Sequence, residues 1–380
     1  MDKNQKVFGT YVFLSTFSRN LIEVFIPVIL YKFGYTIREV LIYYLIANVG
    51  SLILSYPFVK LSKRFNNKIL AIVGIIAFSL LQILLNYMVH STVYLAIIAI
   101  LFAVYRRGYW ISRRFYNLKV LKKDNISTTY SLISIINQIG VIISAYCGAL
   151  VLDYVSLNTL TIIAIVLFLL SIIPLYILDF KHENNEVKLE PIKNIRMIPK
   201  RNLYLFGSYE LINVVKFLFP LYLFIYVKNT YQTIGLVNLI TNLALILFTY
   251  LFGRTLDKSK KNFLTFSIIF TVLVYVAKVN TIGYVLLIIS FIEGIALKMY
   301  ELSISKEFYT LSKKFEYSNY NLIYELIQNF SRSIIVLILF MCNDNFKMMI
   351  YVTLVFIIIG AFMKFKQLEV EDYKVEKSEG

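Results

Sequence analysis

Histidine and cysteine are nearly missing from this sequence, with two of each in 380 residues. Cys147 lies inside an apolar run and Cys342 at the edge of another, so no disulfide framework is implied. His90 falls at the end of an apolar segment and His182 in a polar one, which leaves no cluster to ligate a metal. No G-x-x-x-x-G-K-[ST] segment is present to cradle a nucleotide phosphate, so intrinsic ATP hydrolysis is not expected and no cofactor is implied. Charge is scarce too, at 16%, where soluble domains carry about 25%. Glycine (14) and proline (6) are few. Together these shortages exclude an ordinary soluble domain, a disordered chain and a collagen-like repeat.

What the chain does have is apolar bulk: 59% hydrophobic and 16% aromatic residues, with a net charge of +17. In a soluble chain that charge would point to nucleic acid. Here it is interspersed with aliphatic runs, and a membrane explains it better; no nucleic-acid partner is expected. A spanning helix needs about 20 mostly apolar residues. Twelve stretches qualify, roughly 8–31, 40–59, 69–90, 92–111, 129–151, 157–178, 203–227, 231–252, 262–278, 281–300, 319–341 and 347–363. Strands of a barrel would alternate apolar and polar residues, whereas a run such as Leu160–Ile173 is apolar on every side. The first stretch contains Arg19, Glu23 and Pro27 and lacks a small-residue cleavage site, so it reads as a retained helix and not a signal peptide.

Lysine and arginine fall in alternate connections. Lys60, Lys63, Arg64 and Lys68 occupy one, Arg254, Lys258, Lys260 and Lys261 another, while the intervening connections are nearly bare. By the positive-inside rule both termini are expected in the cytoplasm, and this parity holds only if the number of spans is right. The 30 Tyr and 30 Phe are expected mainly at lipid-facing or interfacial positions.

The longest connection, Phe180 to Asn202, is polar and central. Pro27 and Pro220 lie 193 residues apart, and two basic loop segments that follow the next helices are offset almost equally. A constant offset indicates an internal repeat. The expected division is a bundle over 1–180, a cytoplasmic loop over 181–202, a second bundle over 203–365 and a cytoplasmic tail over 366–380.

Both loop segments resemble the G-x-x-x-D-R-x-G-R-R loop of the major facilitator superfamily. Gly253, Asp257, Lys258 and Lys261 match it in type and spacing; the first copy keeps Arg64 and Lys68 but has Val59, Lys63 and Asn66 at other motif positions. In that family the loop acts as a cytoplasmic latch, and positive-inside anchoring is the other reading of the same charges. Gly140-Val-Ile-Ile-Ser-Ala-Tyr-Cys-Gly-Ala149 is similar to the G-x-x-x-G-P-x-x-G-G pattern of the superfamily's exporters, with Ser144, Ala145 and Ala149 as departures. Small residues also permit close helix packing, so both explanations stand. The resemblance implies an all-α polytopic membrane protein whose twelve transmembrane helices form two pseudo-symmetric six-helix bundles. In it, helices one, four, seven and ten line a cavity, and three, six, nine and twelve are peripheral.

An ionisable side chain at the centre of a span costs at least about 2.5–3.5 kcal/mol and marks a cavity or a partner. Arg19 and Glu23 lie in the first span, Arg106 and Arg107 in the fourth, Glu210 and Lys216 in the seventh, and Glu293, Lys298 and Glu301 in the tenth. The eleventh holds Glu325 and Arg332, on one face with Gln328 and Asn329. Arg19 and Glu23 are four apart and can neutralise each other. The near balance of acids and bases is compatible with structural ion pairs throughout. A functional reading assigns Glu23, Glu293 and Glu325 to proton loading, since a carboxylate in a low-dielectric cavity can exchange a proton near neutral pH. Arg106 and Arg107, with Trp110 beside them, can hold an anionic or aromatic solute. Arg113 and Arg114 are expected at the interface against lipid phosphate.

The predicted activity is secondary active movement of a small organic solute by alternating access in the plasma membrane, with protons as coupling ion and efflux preferred. Uptake of a sugar, nucleoside or organic anion, or lipid flipping, is the alternative; an integral-membrane enzyme or accessory protein is the alternative from another class. The expected partners are a small-molecule substrate, protons and membrane lipids, and the expected state is a monomer.

Overall fold

A computed structural model describes residues 3–120, 126–178, 200–258, 263–312, 317–342 and 344–379. Among them there is no strand, and the chain runs through twelve long helical rods. These are α1 (Lys3–Glu23, continued by Ile26–Lys32), α2 (Ile37–Arg64), α3 (Asn67–Asn86), α4 (Thr92–Val120), α5 (Ile126–Tyr154) and α6 (Leu157–Leu170, continued by Ile172–Ile177). There follow α7 (Lys200–Tyr222, extended by a wide turn Leu223–Val227), α8 (Tyr231–Lys258), α9 (Phe263–Val279), α10 (Tyr284–Ser312), α11 (Tyr317–Leu339, tightened over Phe340–Cys342) and α12 (Phe346–Glu379). Among the described residues nine helices are long and apolar enough to cross a membrane. Leu264–Val279 and Phe346–Phe362 are shorter apolar helices, and α10 carries Glu293, Lys298 and Glu301 in its apolar stretch.

Local chemistry sets the helix ends. Thr36 accepts a hydrogen bond from the Glu39 amide at 3.3 Å while the Glu39 carboxylate takes the Thr36 amide at 2.8 Å, a reciprocal cap that starts α2. Asn66 caps α3, and Ser156 caps α6. Pro27 cannot donate a backbone hydrogen bond, and α1 breaks just before it, at Val24 and Phe25. Within the spans, hydroxyls and amides bond carbonyls of their own helix, as Asn48 does to Tyr44 at 2.7 Å and Thr353 to Met349 at 2.8 Å. These side-chain to backbone bonds satisfy hydroxyl and amide groups that would otherwise be costly in hydrocarbon. Outward-facing aliphatic stripes such as Ile69, Val73, Ile76, Leu80 and Ile83 on α3 present the lipid-facing surface.

Helices α1–α6 pack among themselves through α3–α4, α2–α4, α1–α5 and α1–α6; helices α7–α12 do so through α7–α12, α8–α10, α9–α10 and α7–α11. The two sets meet along α5–α8 and α2–α11. The exporter-like segment of α5 lies at that seam. A Cβ on Gly148 would stand 2.4 Å from the Leu21 carbonyl of α1, and one on Gly235 of α8 would stand 2.6 Å from the Ala149 Cβ. Small residues here are required by helices in contact on both sides.

The aromatic residues depart from expectation. Many are lipid-facing, but the largest fully buried side chains are dominated by tyrosines, among them Tyr11, Tyr43, Tyr105, Tyr109, Tyr275 and Tyr300. Phe78 and Tyr105 pack at 4.4 Å between ring centres, with Phe102, Phe168 and Tyr109 around them. Tyrosine suits this interior because its ring packs like phenylalanine, and the hydroxyls of Tyr105, Tyr109 and Tyr300 reach a buried arginine or serine.

Candidate functional site

Where α1, α4, α7 and α10 converge the chain encloses a cavity of about 620 Å³, within the range of small-molecule sites. Side chains of α2, α5, α8, α9 and α11 complete its wall. Eleven of the fourteen pathway residues expected from the sequence line it: Arg19, Glu23, Arg106, Arg107, Trp110, Glu210, Lys216, Glu293, Glu301, Gln328 and Arg332. Lys298, Glu325 and Asn329 lie behind the wall, buried.

Each of the five acids expected along the pathway is bound to a cation. Arg19 Nε is 2.9 Å from Glu23 one turn on, as the spacing suggested. The Arg19 guanidinium also donates to the Tyr105 hydroxyl at 3.3 Å and lies 5.2 Å from the Trp110 ring centre. The polar face of α11 splits in two. Gln328 and Arg332 both grip Glu210 of α7, whose carboxylate further accepts from the Asn213 amide at 2.6 Å. Glu325 points the other way, to α4, where Arg107 and Arg114 both contact it; it is fully buried. Asn329 donates to the Glu325 carbonyl at 2.7 Å and holds this turn of α11. In α10, Lys298 Nζ is 3.4 Å from Glu301 and 3.5 Å from the Ser134 hydroxyl of α5.

Three residues take roles the sequence did not assign. Arg114, expected against lipid phosphate, turns inward: besides Glu325 it donates to Asn321 at 2.9 Å and lies 5.5 Å from the Tyr324 ring. A buried carboxylate on α11 attracts it more strongly than the headgroup region does. Arg113 is likewise buried, bonded to the Tyr109 hydroxyl at 2.9 Å and to Asn137 at 2.7 Å. Lys278, the last residue of the stretch expected over 262–278, sits inside the last turn of α9 and pairs with Glu293. Thr241 donates to the same carboxylate at 3.2 Å, and the Phe219 ring centre is 3.9 Å from the lysine nitrogen. A lone lysine at an otherwise charge-poor helix end was the available signal.

Two cations lining the cavity have no acid partner among the described residues. Arg106 donates to Asn48 at 2.8 Å and lies 5.8 Å from the Phe102 ring centre. Lys216 is exposed. Next to it, Phe217 stacks on Tyr44 of α2 at 3.9 Å.

At the loop expected to latch, Arg64 is exposed, and Lys68 donates to the Tyr176 carbonyl at 2.8 Å, closing the C-terminal end of α6. In the second copy Gly253, Asp257 and Lys258 belong to the last turns of α8, but their side chains, and Lys261 as a whole, lie outside the described residues.

The family model of the Major Facilitator Superfamily matches residues 9–229, more than half of the chain. A comparison with curated proteins finds no match. Among solved structures the chain is similar to a bacterial homologue of the iron transporter ferroportin in an outward-facing state, at 13% identity and a TM-score of 0.69. That match covers 96% of this chain and 99% of the other, and at such identity it speaks to the fold. With the family match, the shared twelve-helix fold and nine described helices able to span a bilayer, the chain belongs to the Major Facilitator Superfamily as a multi-pass membrane transporter.

Proposed function

We propose that the chain moves a small organic solute across the plasma membrane by proton-coupled alternating access, with residues 1–180 and 203–365 rocking as two six-helix bundles about the cavity and both termini in the cytoplasm. The observation that carries this is the central cavity itself, walled by ionisable groups from both sets of helices. Coupling falls to Glu23 and Glu293, which line the cavity and each face a single cation. Exchange of a proton at either carboxylate frees its cation for the solute, which ties the two fluxes together. Glu325 serves a different purpose. It bridges α11 to α4 near the end where α1 begins, so it holds that end closed. At the opposite end Asp153 of α5 caps α8 through the Tyr231 and Gln232 amides at 3.1 and 2.7 Å, and Lys32 lies 4.3 Å from the Tyr231 ring centre. Alternating access opens one of these contact sets at a time.

Outward movement is supported by the exporter-like segment of α5. Uptake is the second reading, favoured by the fact that helix packing accounts for the same small residues. Reconstitution into proteoliposomes with an imposed pH gradient tests coupling: solute-dependent proton movement in a dye-loaded lumen is the expected result. Its absence over a broad solute panel would remove proton coupling, and reversing the gradient reads the preferred direction.

A further inference from the structure

We infer that the transported solute is a small organic anion, held between Arg106 of α4 and Lys216 of α7. The inference rests on the transport reading and adds the substrate class. Its basis is the charge of the cavity. Arg19, Arg106, Arg107, Arg114, Lys216, Lys278 and Arg332 line the wall with only Glu23, Glu210, Glu293 and Glu301. Glu325 and Lys298 stand just behind. Eight cations thus face five acids, an excess of three positive charges around the cavity, with Arg106 buried and Lys216 exposed to its interior. Every acid is engaged: Glu23 by Arg19, Glu210 by Arg332, Glu293 by Lys278, Glu301 by Lys298 and Glu325 by both Arg107 and Arg114. Among the described residues no carboxylate remains for Arg106 or Lys216. Arg106 spends one donor nitrogen on the neutral Asn48 amide, and its other donors are left for a ligand. Arg106, buried without a counter-charge, is expensive to keep charged, and an incoming anion removes that cost. The guanidinium suits a carboxylate or phosphate in a bidentate fork, and the ammonium adds a point charge from the other side of the cavity. Tyr44, Phe102 and Phe217 line the wall nearby and give the carbon body of the anion an aromatic surface.

The sequence supplies its own reporter. Trp110 is the single tryptophan, it lines the same cavity, and it lies one helical turn from Arg106. Quenching of its fluorescence by iodide, caesium and neutral acrylamide, in uncharged detergent at low salt, measures the sign of the potential there whatever the shape of the true solute. A cleft of one sign concentrates counter-ions, so iodide should quench roughly threefold or more above caesium once both are scaled to acrylamide. The double variant R106Q/K216Q should bring the ratio close to one, and R106K should keep it high. Since Arg19 and Arg113 also lie over the Trp110 ring, the double variant decides whether Arg106 and Lys216 carry the effect. A wild-type ratio of one or below, or a ratio unchanged in the double variant, overturns the inference. Proteoliposome flux separates the two readings. Coupled flux of a neutral or cationic solute that survives R106Q/K216Q overturns the anion while sparing transport. Loss of iodide preference without any coupled flux supports the anion site and defeats proton coupling.

Discussion

Lys278 and Glu293 offer the sharpest energetic test of how this interior is built. Both are buried, at 2% and 4% exposure, and each is the other's only charged partner described. Replacing Lys278 by Met leaves the carboxylate with neutral neighbours such as the Thr241 hydroxyl and no cation among the described residues. Removing one member of a buried pair costs about 3–5 kcal/mol, so K278M should lose stability on that scale. Glu293→Gln is gentler. The amide still offers an acceptor to Thr241 and to Lys278, and the ammonium keeps the Phe219 ring 3.9 Å away; the cost should be about 1–3 kcal/mol. In the double variant neither charge remains to be stranded, so its cost should fall short of the sum by about 2 kcal/mol. Equilibrium unfolding in mixed micelles with increasing dodecyl sulfate, run on all four proteins, gives the cycle. A coupling below about 0.5 kcal/mol would refute the pairing. The same variants separate structure from coupling: E293Q should stay folded and lose pH-gradient-driven flux, while a stable E293Q with undiminished flux would take Glu293 out of the coupling path.

Glu325→Gln should release Arg107 and Arg114 and open the end of the cavity where α1 begins. In a background lacking Cys147 and Cys342, a cysteine placed at the cavity-lining Asn117 should react with a water-soluble maleimide several-fold faster in E325Q; an unchanged rate would remove Glu325 from the gate. Gly148→Ala drives a methyl group against the Leu21 carbonyl, and overpacking of this kind costs about 1–3 kcal/mol in the same unfolding assay. Asp153→Ala removes the carboxylate that caps α8 from the neighbouring α5 and should cost about 0.5–2 kcal/mol, with a bias toward opening at that end.

Much of the architecture was legible because the bilayer imposes simple lengths and charges. Twelve apolar runs, the Arg19–Glu23 spacing and the confinement of charge to a few helices all follow from the cost of polar groups in hydrocarbon. The pairing of those charges was not legible, because partners lie on different helices and sequence order does not order them in space. Spacing made Glu325, Gln328 and Arg332 one stripe, yet two of them face Glu210 on α7 and one faces Arg107 and Arg114 on α4. The inward pairing of Lys278 and Arg114 was hidden for a related reason. Near a span end, sequence cannot distinguish a side chain that snorkels to headgroups from one that turns inward to a buried acid. The buried tyrosines were hidden by composition, since interfacial and internal tyrosine look identical in a residue count.

The pairs also divide by where their members sit, and on the two-bundle reading that division assigns their work. Arg19–Glu23, Lys278–Glu293, Arg332–Glu210 and Lys298–Glu301 each lie within one bundle and travel together whichever way the cavity faces. Glu325 with Arg107 and Arg114 spans the two bundles, as do Arg38 and Asp344 at 3.6 Å near the other end. These must part during the cycle. A buried pair broken in a dry interior would strand its charges at a cost of several kcal/mol. Here separation and hydration are one event, because the movement that pulls α11 from α4 is the one that admits water between them. Water then replaces the lost partner, and a gate of buried charge can open at a modest free-energy cost. The same reasoning sets a limit on which acids can exchange protons: those within a bundle meet water only through the cavity, so their protonation follows the side that is open, as coupling requires.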